Sequence, residues 1–164
     1  MSFPLIAILV PAAGAILIGL TGQGRANLRE FWSIAAGVVM SAVVISMIPD
    51  VLDGGSPQCV LFRLMPGIEL AFRADAFGLL FAGGAAVLYT LTSFYSIGYM
   101  RGLKEHDQTR FFCCFAISLS ATIGVAFAGN LLTLYIFYEI LSLSTYPLVT
   151  HHGDKEARSG GRTY

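Results

Sequence analysis

One acidic residue inside a long apolar run is the residue of this sequence best suited to chemistry. Glu139 lies near the middle of 131–150, LLTLYIFYEILSLSTYPLVT, which contains no basic residue. A run of about 20 apolar residues is long enough to cross a bilayer as a helix. Because an ionised carboxylate at that depth costs roughly 3 kcal/mol, Glu139 is predicted to be protonated, paired with a distant cation, or exposed to a wet cavity. The chemistry that this suggests is proton uptake and release.

Polar residues accompany this acid along one side of the predicted helix. Tyr135, Glu139, Ser142 and Tyr146 follow the spacing i, i+4, i+7, i+11, which places them on a single stripe. The hydroxyl groups of Tyr135, Tyr138 and Tyr146 are predicted to orient water near the acid or to pack. A structural glutamate that hydrogen-bonds a neighbouring helix is the alternative interpretation. The opposite side is apolar and is predicted to face lipid; it carries Leu132, Ile136, Ile140, Leu143 and Leu148.

Four further side chains are weaker candidates for an ion pathway. Ser118 and Thr122 form a mild polar stripe on the preceding run, where such hydroxyls bond across to the next span or to carbonyls of their own helix. His151 and His152 follow the run, and because histidine as a residue type titrates near neutral pH, they are candidates to deliver protons to Glu139. Adjacent residues point apart on a helix, so a surface loop is favoured over a metal cluster. The sequence predicts no catalytic site of its own, no cofactor and no metal site.

The composition places the chain among membrane proteins. Hydrophobic residues make up 55% of the sequence and charged residues 12%, and the mean hydropathy is +0.71. A soluble domain carries about twice that share of charged residues. The formal net charge is zero, so nothing in the charge balance indicates a nucleic-acid partner.

The elements that must position these residues are apolar helices. The run Gly22–Glu30 is predicted to be a polar loop, Pro49 to end the second span, and Asp75 to cap the third or to lie at the surface. Between those two spans, Val60–Leu64 and Ile68–Arg73 alternate partially around a turn and predict a small β-hairpin. The fold class is therefore an all-α membrane protein with one hairpin. Its five predicted transmembrane helices cover about 3–21, 31–48, 76–95, 111–127 and 131–150.

The basic residues predict the orientation of these spans. Cytoplasmic loops carry an excess of lysine and arginine, so the richer side is placed inside. With the N-terminus outside, only Arg63 and Arg73 lie outside, and the hairpin lies there with them. The prediction is N-out and C-in, as a multi-pass protein of the inner cell membrane. The predicted inner residues are Arg25, Arg29, Arg101, Lys104, Arg110, Lys155, Arg158 and Arg162.

The order of several short motifs resembles one family. FRADAFGLLF at 72–81, YSIGYM at 95–100, RF at 110–111 and NLLTLYIFYE at 130–139 occur in the order that proton-translocating antiporter-like subunits use. These include the large membrane subunits of respiratory complex I (NADH dehydrogenase), related hydrogenase subunits, and Mrp-type sodium/proton antiporters. The ending, 143–164, is most similar to the D subunit of Mrp antiporters. No one motif is specific, but their combined order is.

This resemblance implies a larger molecule and a role for the acid. The family has about 14 core helices built around two inverted repeats. Residues 1–164 would form a single membrane domain, the N-terminal part of such a subunit, with three leading helices and the first two of the first repeat. Glu139 matches a family glutamate that pairs with a lysine on a later, broken helix. The implied partners are other membrane subunits, the lipid bilayer, protons, and Na⁺ or K⁺.

The mechanism expected from this pair has two states. A nearby lysine keeps Glu139 ionised, and when the lysine moves away the acid takes up a proton, which couples proton movement to an event elsewhere. The predicted function is ion translocation linked to cation antiport or to a respiratory redox complex. The alternatives are a non-conducting scaffold or assembly protein, and a truncated inactive product. The sequence leaves open which cation moves, which complex hosts the chain, and whether the chain is a fragment, a split subunit or complete.

Overall fold

The computed structural model describes residues 3–65, 68–151, 153 and 155–163 and confirms five helices that are long and apolar enough to cross a membrane. The second span is formed by two consecutive helices, α2 and α3, and the other four are α1, α4, α5 and α6. A short helix, α7, follows the last span. The helices are α1 (Phe3–Thr21), α2 (Ala26–Ser46), α3 (Ile48–Leu52), α4 (Ala76–Gly102), α5 (Gln108–Ala126), α6 (Leu131–Val149) and α7 (Lys155–Thr163). The strands are β1 (Gln58–Met65) and β2 (Ile68–Arg73).

The boundaries of the second span differ from the prediction. The predicted polar loop Gly22–Glu30 is confirmed only for 22–25, because α2 begins at Ala26 and includes Arg29 and Glu30. Helix α2 ends at Ser46, and a single residue, Met47, separates it from α3. Pro49 lies in the first turn of α3, where its missing N–H is not needed for a helical hydrogen bond.

The helices pack closely because small residues line their contacts. Helix α1 packs against α2 and α5, α2 packs against α4, and α5 packs against both α4 and α6. Ala82 and Ala86 on α4 are 0% and 1% exposed, and an added Cβ at Gly14 would come within 2.7 Å of the Ala36 side chain. Helices in lipid associate through such van der Waals contacts.

The predicted hairpin is present, and it is attached to the turn between α5 and α6. Strands β1 and β2 pair antiparallel, with Pro66 and Gly67 outside the described residues. The Arg73 N–H donates to the Phe127 carbonyl at 2.7 Å, and the Gly129 N–H donates to the Ala71 carbonyl at 2.8 Å. The side chain of Asn130 donates to the Glu69 carbonyl at 2.7 Å. We call this side of the molecule the hairpin end.

Two side-chain caps fix where α4 and α6 begin at the hairpin end. The Asp75 carboxylate accepts from the Gly78 N–H at 2.8 Å, as the capping prediction required. The Asn130 side chain accepts from the Thr133 N–H at 2.9 Å and so starts α6. These caps set the registers in which the two helices cross the bundle.

The opposite side of the molecule, which we call the basic end, is formed by the loops 22–25 and 103–107 and by the residues after α6. The Thr109 hydroxyl at the start of α5 donates to the Gly22 carbonyl at 3.0 Å, so the two loops lie side by side. The predicted inner basic residues that the structure describes belong to these loops, to adjoining helix ends, or to α7. Which end faces the cytoplasm stays a prediction.

Candidate functional site

Glu139 lies halfway along α6 on a face that the rest of the described chain leaves uncovered. Its side chain is exposed, and Tyr135 and Tyr146 on the same stripe are 60% and 46% exposed. Ser142, the fourth residue of the predicted stripe, is half-buried. Among the described residues, no ion pair or hydrogen bond reaches Glu139. The four stripe residues share one helix face, but that face lies outside the bundle.

The face of α6 that packs inward is set by contacts with α5 and the hairpin. Thr133 is fully buried and its hydroxyl accepts from the Ala71 N–H of β2 at 3.1 Å. The ring of Phe137 lies where a Cβ at Gly124 of α5 would be. Thr133 and Phe137 lie roughly half a turn around the helix from the Glu139 stripe at 3.6 residues per turn. The polar stripe therefore points away from α5.

This arrangement corrects the predicted lipid-facing side of α6. Ile136 packs against the hydrophobic core and Leu132 is half-buried, whereas Leu143 is 73% exposed. The prediction is wrong for Ile136 because α6 presents its apolar and small hydroxyl side chains to α5. Only 6% of the 18-residue apolar segment of α6 is buried, against 33–44% of the corresponding segments in the other four spans. Helix α6 thus lies at the edge of the bundle.

The two weaker hydroxyl candidates on α5 form one bond toward α6. Ser118 Oγ lies 3.0 Å from Ser144 Oγ of α6 and donates to the Cys114 carbonyl at 2.8 Å. Thr122 donates to the Ser118 carbonyl at 2.8 Å within its own helix. Ser118 therefore meets the inner face of α6, on the opposite side of that helix from Glu139.

A polar cleft opens at the basic end beside the last turn of α6. Its volume is about 590 Å³ and it contains one member of the stripe, Tyr146. His151 also lines it and is nearly buried, with 8% of its side chain exposed, whereas His152 lies outside the described residues. Glu139 is seven residues before Tyr146, about 10 Å along the helix axis. The cleft is lined by His106, Asp107, Arg110, Tyr146, Pro147, Thr150, His151, Gly153 and Arg162.

Sequence reasoning missed two residues that the structure brings to His151. The ring of His106 stacks on that of His151 at a centroid distance of 5.1 Å and an interplanar angle of 13°. Glu105 Oε2 lies 4.0 Å from His151 Nε2 and 3.8 Å from His106 Nδ1. These partners are 45 and 46 positions away in the sequence, so no local spacing indicates the cluster.

Sequence reasoning also missed a buried ionic cluster near the basic end. Glu30 accepts from Arg101 Nε at 2.8 Å and from Arg101 Nη2 at 2.6 Å, while Arg29 Nη2 lies 3.8 Å from Glu30. Arg29 is 2% exposed and donates to Gln108 at 2.6 Å and to Thr109 at 3.2 Å. This cluster joins α2, α4 and α5, and it anchors the loop that carries Glu105 and His106.

Among the described residues, no group of three or more histidine, cysteine, aspartate or glutamate side chains has a geometry that could hold a metal ion. The three cysteines are free, and Cys113 donates to the Ala15 carbonyl at 3.4 Å. The titratable side chains of the candidate site lie along the outer face of α6 and in the cleft at its end.

The chain has relatives among the proteins of cation/proton antiporters. It is 28% identical over 160 residues to the A/B subunit of a probable K⁺/H⁺ antiporter of Rhizobium meliloti, covering 94% of this chain and 16% of that protein. It is 26% identical over 160 residues to the A1 subunit of an Na⁺/H⁺ antiporter of Staphylococcus aureus, covering 96% of this chain and 20% of that protein. The chain thus spans about a fifth or less of the length of these relatives. No protein-family model matches it.

A solved structure shares the fold. It is the membrane-bound sulfane sulfur reductase, an archaeal respiratory membrane complex, with a TM-score of 0.72 and 20% sequence identity. The match covers 88% of this chain and 22% of the solved chain. The curated homologues are thus subunits of K⁺/H⁺ and Na⁺/H⁺ antiporters and the structural neighbour is a respiratory membrane complex, consistent with a part of such a membrane subunit.

Proposed function

We propose that this chain forms part of an ion-translocating membrane subunit in which Glu139 takes up and releases protons. One observation carries the proposal: a carboxyl group halfway along an apolar helix, on a face without a partner among the described residues. Acids inside membrane helices are rare and mark ion pathways, since their charge is costly in lipid. The names of the curated relatives, K⁺/H⁺ and Na⁺/H⁺ antiporter subunits, support the same class of function.

The uncovered face of α6 requires something polar beside it. Lipid cannot satisfy the Glu139 carboxylate, and the neighbouring tyrosines place two more hydroxyl groups on that face. We infer that a further transmembrane segment bearing a cation, together with water, covers this stripe in the assembled protein. The partners are therefore other membrane segments and subunits of a hetero-oligomeric complex, in the inner cell membrane with the hairpin end outside.

The mobile cation gives the acid two states. While the cation lies beside Glu139, the carboxylate is favoured, because opposite charges attract strongly where water is scarce. When the cation moves away, the neutral acid is favoured and Glu139 takes a proton. Exchange of a proton for Na⁺ or K⁺, or for an electron-transfer event in a respiratory complex, follows if the same cation responds to that event.

A second candidate is a non-conducting scaffold that binds partner subunits. The position of the stripe favours it, because the exposed face of α6 lies outside the bundle and is available for protein contacts. In that case Glu139 and the two tyrosines would be interface residues. The two candidates differ in what the loss of the Glu139 charge does: it stops transport in the first, and it weakens assembly in the second.

The test is Glu139→Gln in the assembled membrane complex, reconstituted in vesicles. We expect proton-coupled Na⁺ or K⁺ exchange to fall by roughly tenfold or more, because glutamine cannot bind and release the proton. The complex should migrate at its wild-type size on native gels. The readouts are the collapse of an imposed pH gradient on addition of each cation and the native-gel mobility.

The matched control is Glu69→Gln, the same substitution at a partly exposed acid of the hairpin. It should exchange ions at the wild-type rate. Wild-type exchange by the Glu139→Gln complex would refute the transport role of this residue. A complex that falls apart only with Glu139→Gln would favour the scaffold.

A further inference from the structure

Three titratable side chains form a compact cluster at the basic end. Glu105 and His106 come from the loop between α4 and α5, and His151 follows α6. The two imidazole rings stack at 5.1 Å, and the Glu105 carboxylate lies 3.8 Å from one and 4.0 Å from the other. His106 and His151 line the cleft that also contains Tyr146 of the Glu139 stripe, and Glu105 lies beside the two rings.

We propose that Glu105, His106 and His151 form a proton-binding site that takes protons from the aqueous phase and delivers them through the cleft toward Glu139. This inference rests on the proposed function of Glu139 and adds the entrance of its proton pathway. The site binds a proton, with no metal or cofactor.

The exposure of the three side chains falls from the surface inward, which gives proton movement through the site a direction. The side chain of His106 is 55% exposed, that of Glu105 is 14% exposed, and that of His151 is 8% exposed. A proton therefore meets the exposed ring first and reaches the buried ring by way of water and the Glu105 carboxylate, which lies 3.8 Å from a nitrogen of the first ring and 4.0 Å from a nitrogen of the second. Histidine suits this step because it titrates near neutral pH.

The charges around the rings set how many protons the site holds. Two imidazolium rings stacked this closely repel each other, while the single carboxylate of Glu105 balances one positive charge. Arg110 is paired with Asp107 at 3.3 Å, and Arg162 lines the far wall from α7. The Arg110 charge is thus balanced by Asp107, and the repulsion between the two rings disfavours a second proton, so the site exchanges one proton at a time.

The cleft provides the route from this site to the stripe. Its volume of about 590 Å³ is enough for a chain of water molecules, each of which occupies about 30 Å³ in the liquid. Tyr146 lines the cleft, and Ser142 lies one turn further along α6 toward Glu139. Hydroxyl groups at these two positions can pass a proton across the two helical turns that separate the cleft from the acid.

The cluster is held in place by the first turn of α5. The Gln108 side chain donates to the Glu105 carbonyl at 3.0 Å, and the Phe111 ring meets the His151 ring edge-on at 5.6 Å. Arg110 donates to the His151 carbonyl at 3.4 Å. This support keeps the imidazole of His151 directed at the loop rather than free in solution.

The test measures proton-coupled exchange against pH, from about pH 5.5 to about pH 8.5, with the assembled complex in vesicles. His106→Gln, His151→Gln and Glu105→Gln should each retain exchange within about twofold of wild type at the acid end, where protons are abundant. At the alkaline end each should slow exchange by about fivefold or more. The midpoint of the pH profile should move toward acid.

Lys155→Gln is the control, because it removes an exposed basic residue next to the cleft without touching its lining. His106→Gln guards against misfolding, since this ring is exposed. If the wild type exchanges ions and all profiles superimpose, the delivery site is overturned while the role of Glu139 stands. If the wild type exchanges none, the proposed function fails and the delivery role fails with it.

Discussion

Two glutamates in transmembrane helices of this chain meet opposite environments. Glu30 lies near the basic end of α2, 8% exposed, with two hydrogen bonds from Arg101 and the Arg29 guanidinium 3.8 Å away. Glu139 lies halfway along α6, exposed, with no ion pair among the described residues. The negative charge of Glu30 is compensated by two arginines of this chain. No such compensation reaches Glu139 within the described residues, so Glu139 is the better candidate for a charge that changes.

The two acids differ in how many contacts must be broken when the charge of the carboxyl group changes. A buried charge pair is expensive to form, and removing one partner is more expensive still, because the other charge is left without compensation. The Glu30 carboxylate is therefore held by contacts that would be lost with it. Glu139 can gain or lose a proton without disturbing a contact within the described chain.

The largest expected effect on stability is at Glu30. Glu30→Gln removes the carboxylate that Arg101 and Arg29 share and leaves Arg29, which is 2% exposed, without its negative partner. We expect the free energy of unfolding to fall by about 3 kcal/mol. Thermal unfolding of the purified protein in detergent measures this. Glu69→Gln breaks an exposed hairpin pair, with side-chain exposures of 79% and 36%, and should cost less than about 1 kcal/mol. Equal losses would contradict the distinction.

A smaller effect is expected where α6 is held against α5. An added Cβ at Gly124 would overlap the ring of Phe137, so Gly124→Ala must displace α6 or rotate that ring. We expect a loss of about 2 kcal/mol, typical of overpacking. Gly98→Ala is the matched control, since nothing lies within 4 Å of its new Cβ and alanine is the better helix former. If both variants unfold alike, the close contact between α5 and α6 is absent.

The five spans and the hairpin can be predicted from sequence because their signals are local. Apolar length defines a transmembrane helix, and the turn residues with partial alternation define the hairpin. The cap at Asp75 can be predicted in the same way, since an acid directly before an apolar run is a common start of a helix. The assignment of Arg29 and Glu30 to a loop is wrong because their partners lie 71 to 80 positions away. Only tertiary contacts show that these charges are buried.

Only part of the candidate site can be predicted from the sequence, because helical spacing is a local signal and the packing of α6 is not. Helical spacing predicts correctly that Tyr135, Glu139, Ser142 and Tyr146 share a stripe, because α6 is continuous over all four. Helical spacing alone does not show which side of α6 contacts the neighbouring helices, because both sides carry side chains that could pack. The close contact of Gly124 with Phe137 and the bond between Ser118 and Ser144 decide this, and both need the position of α5.

The smallest expected effect is the one that most directly tests the contrast between the two acids. Glu139→Gln breaks no contact of the described chain, so the free energy of unfolding of the purified protein should change by less than about 0.5 kcal/mol. The same substitution at Glu30 should cost several times more, although the chemistry of the change is identical. The measurement is thermal unfolding of both variants in one detergent. A loss above about 1 kcal/mol at Glu139 would mean that this acid is bonded within the fold. Its carboxylate would then be held by contacts like that of Glu30, and the case for a proton-exchanging group on α6 would be lost.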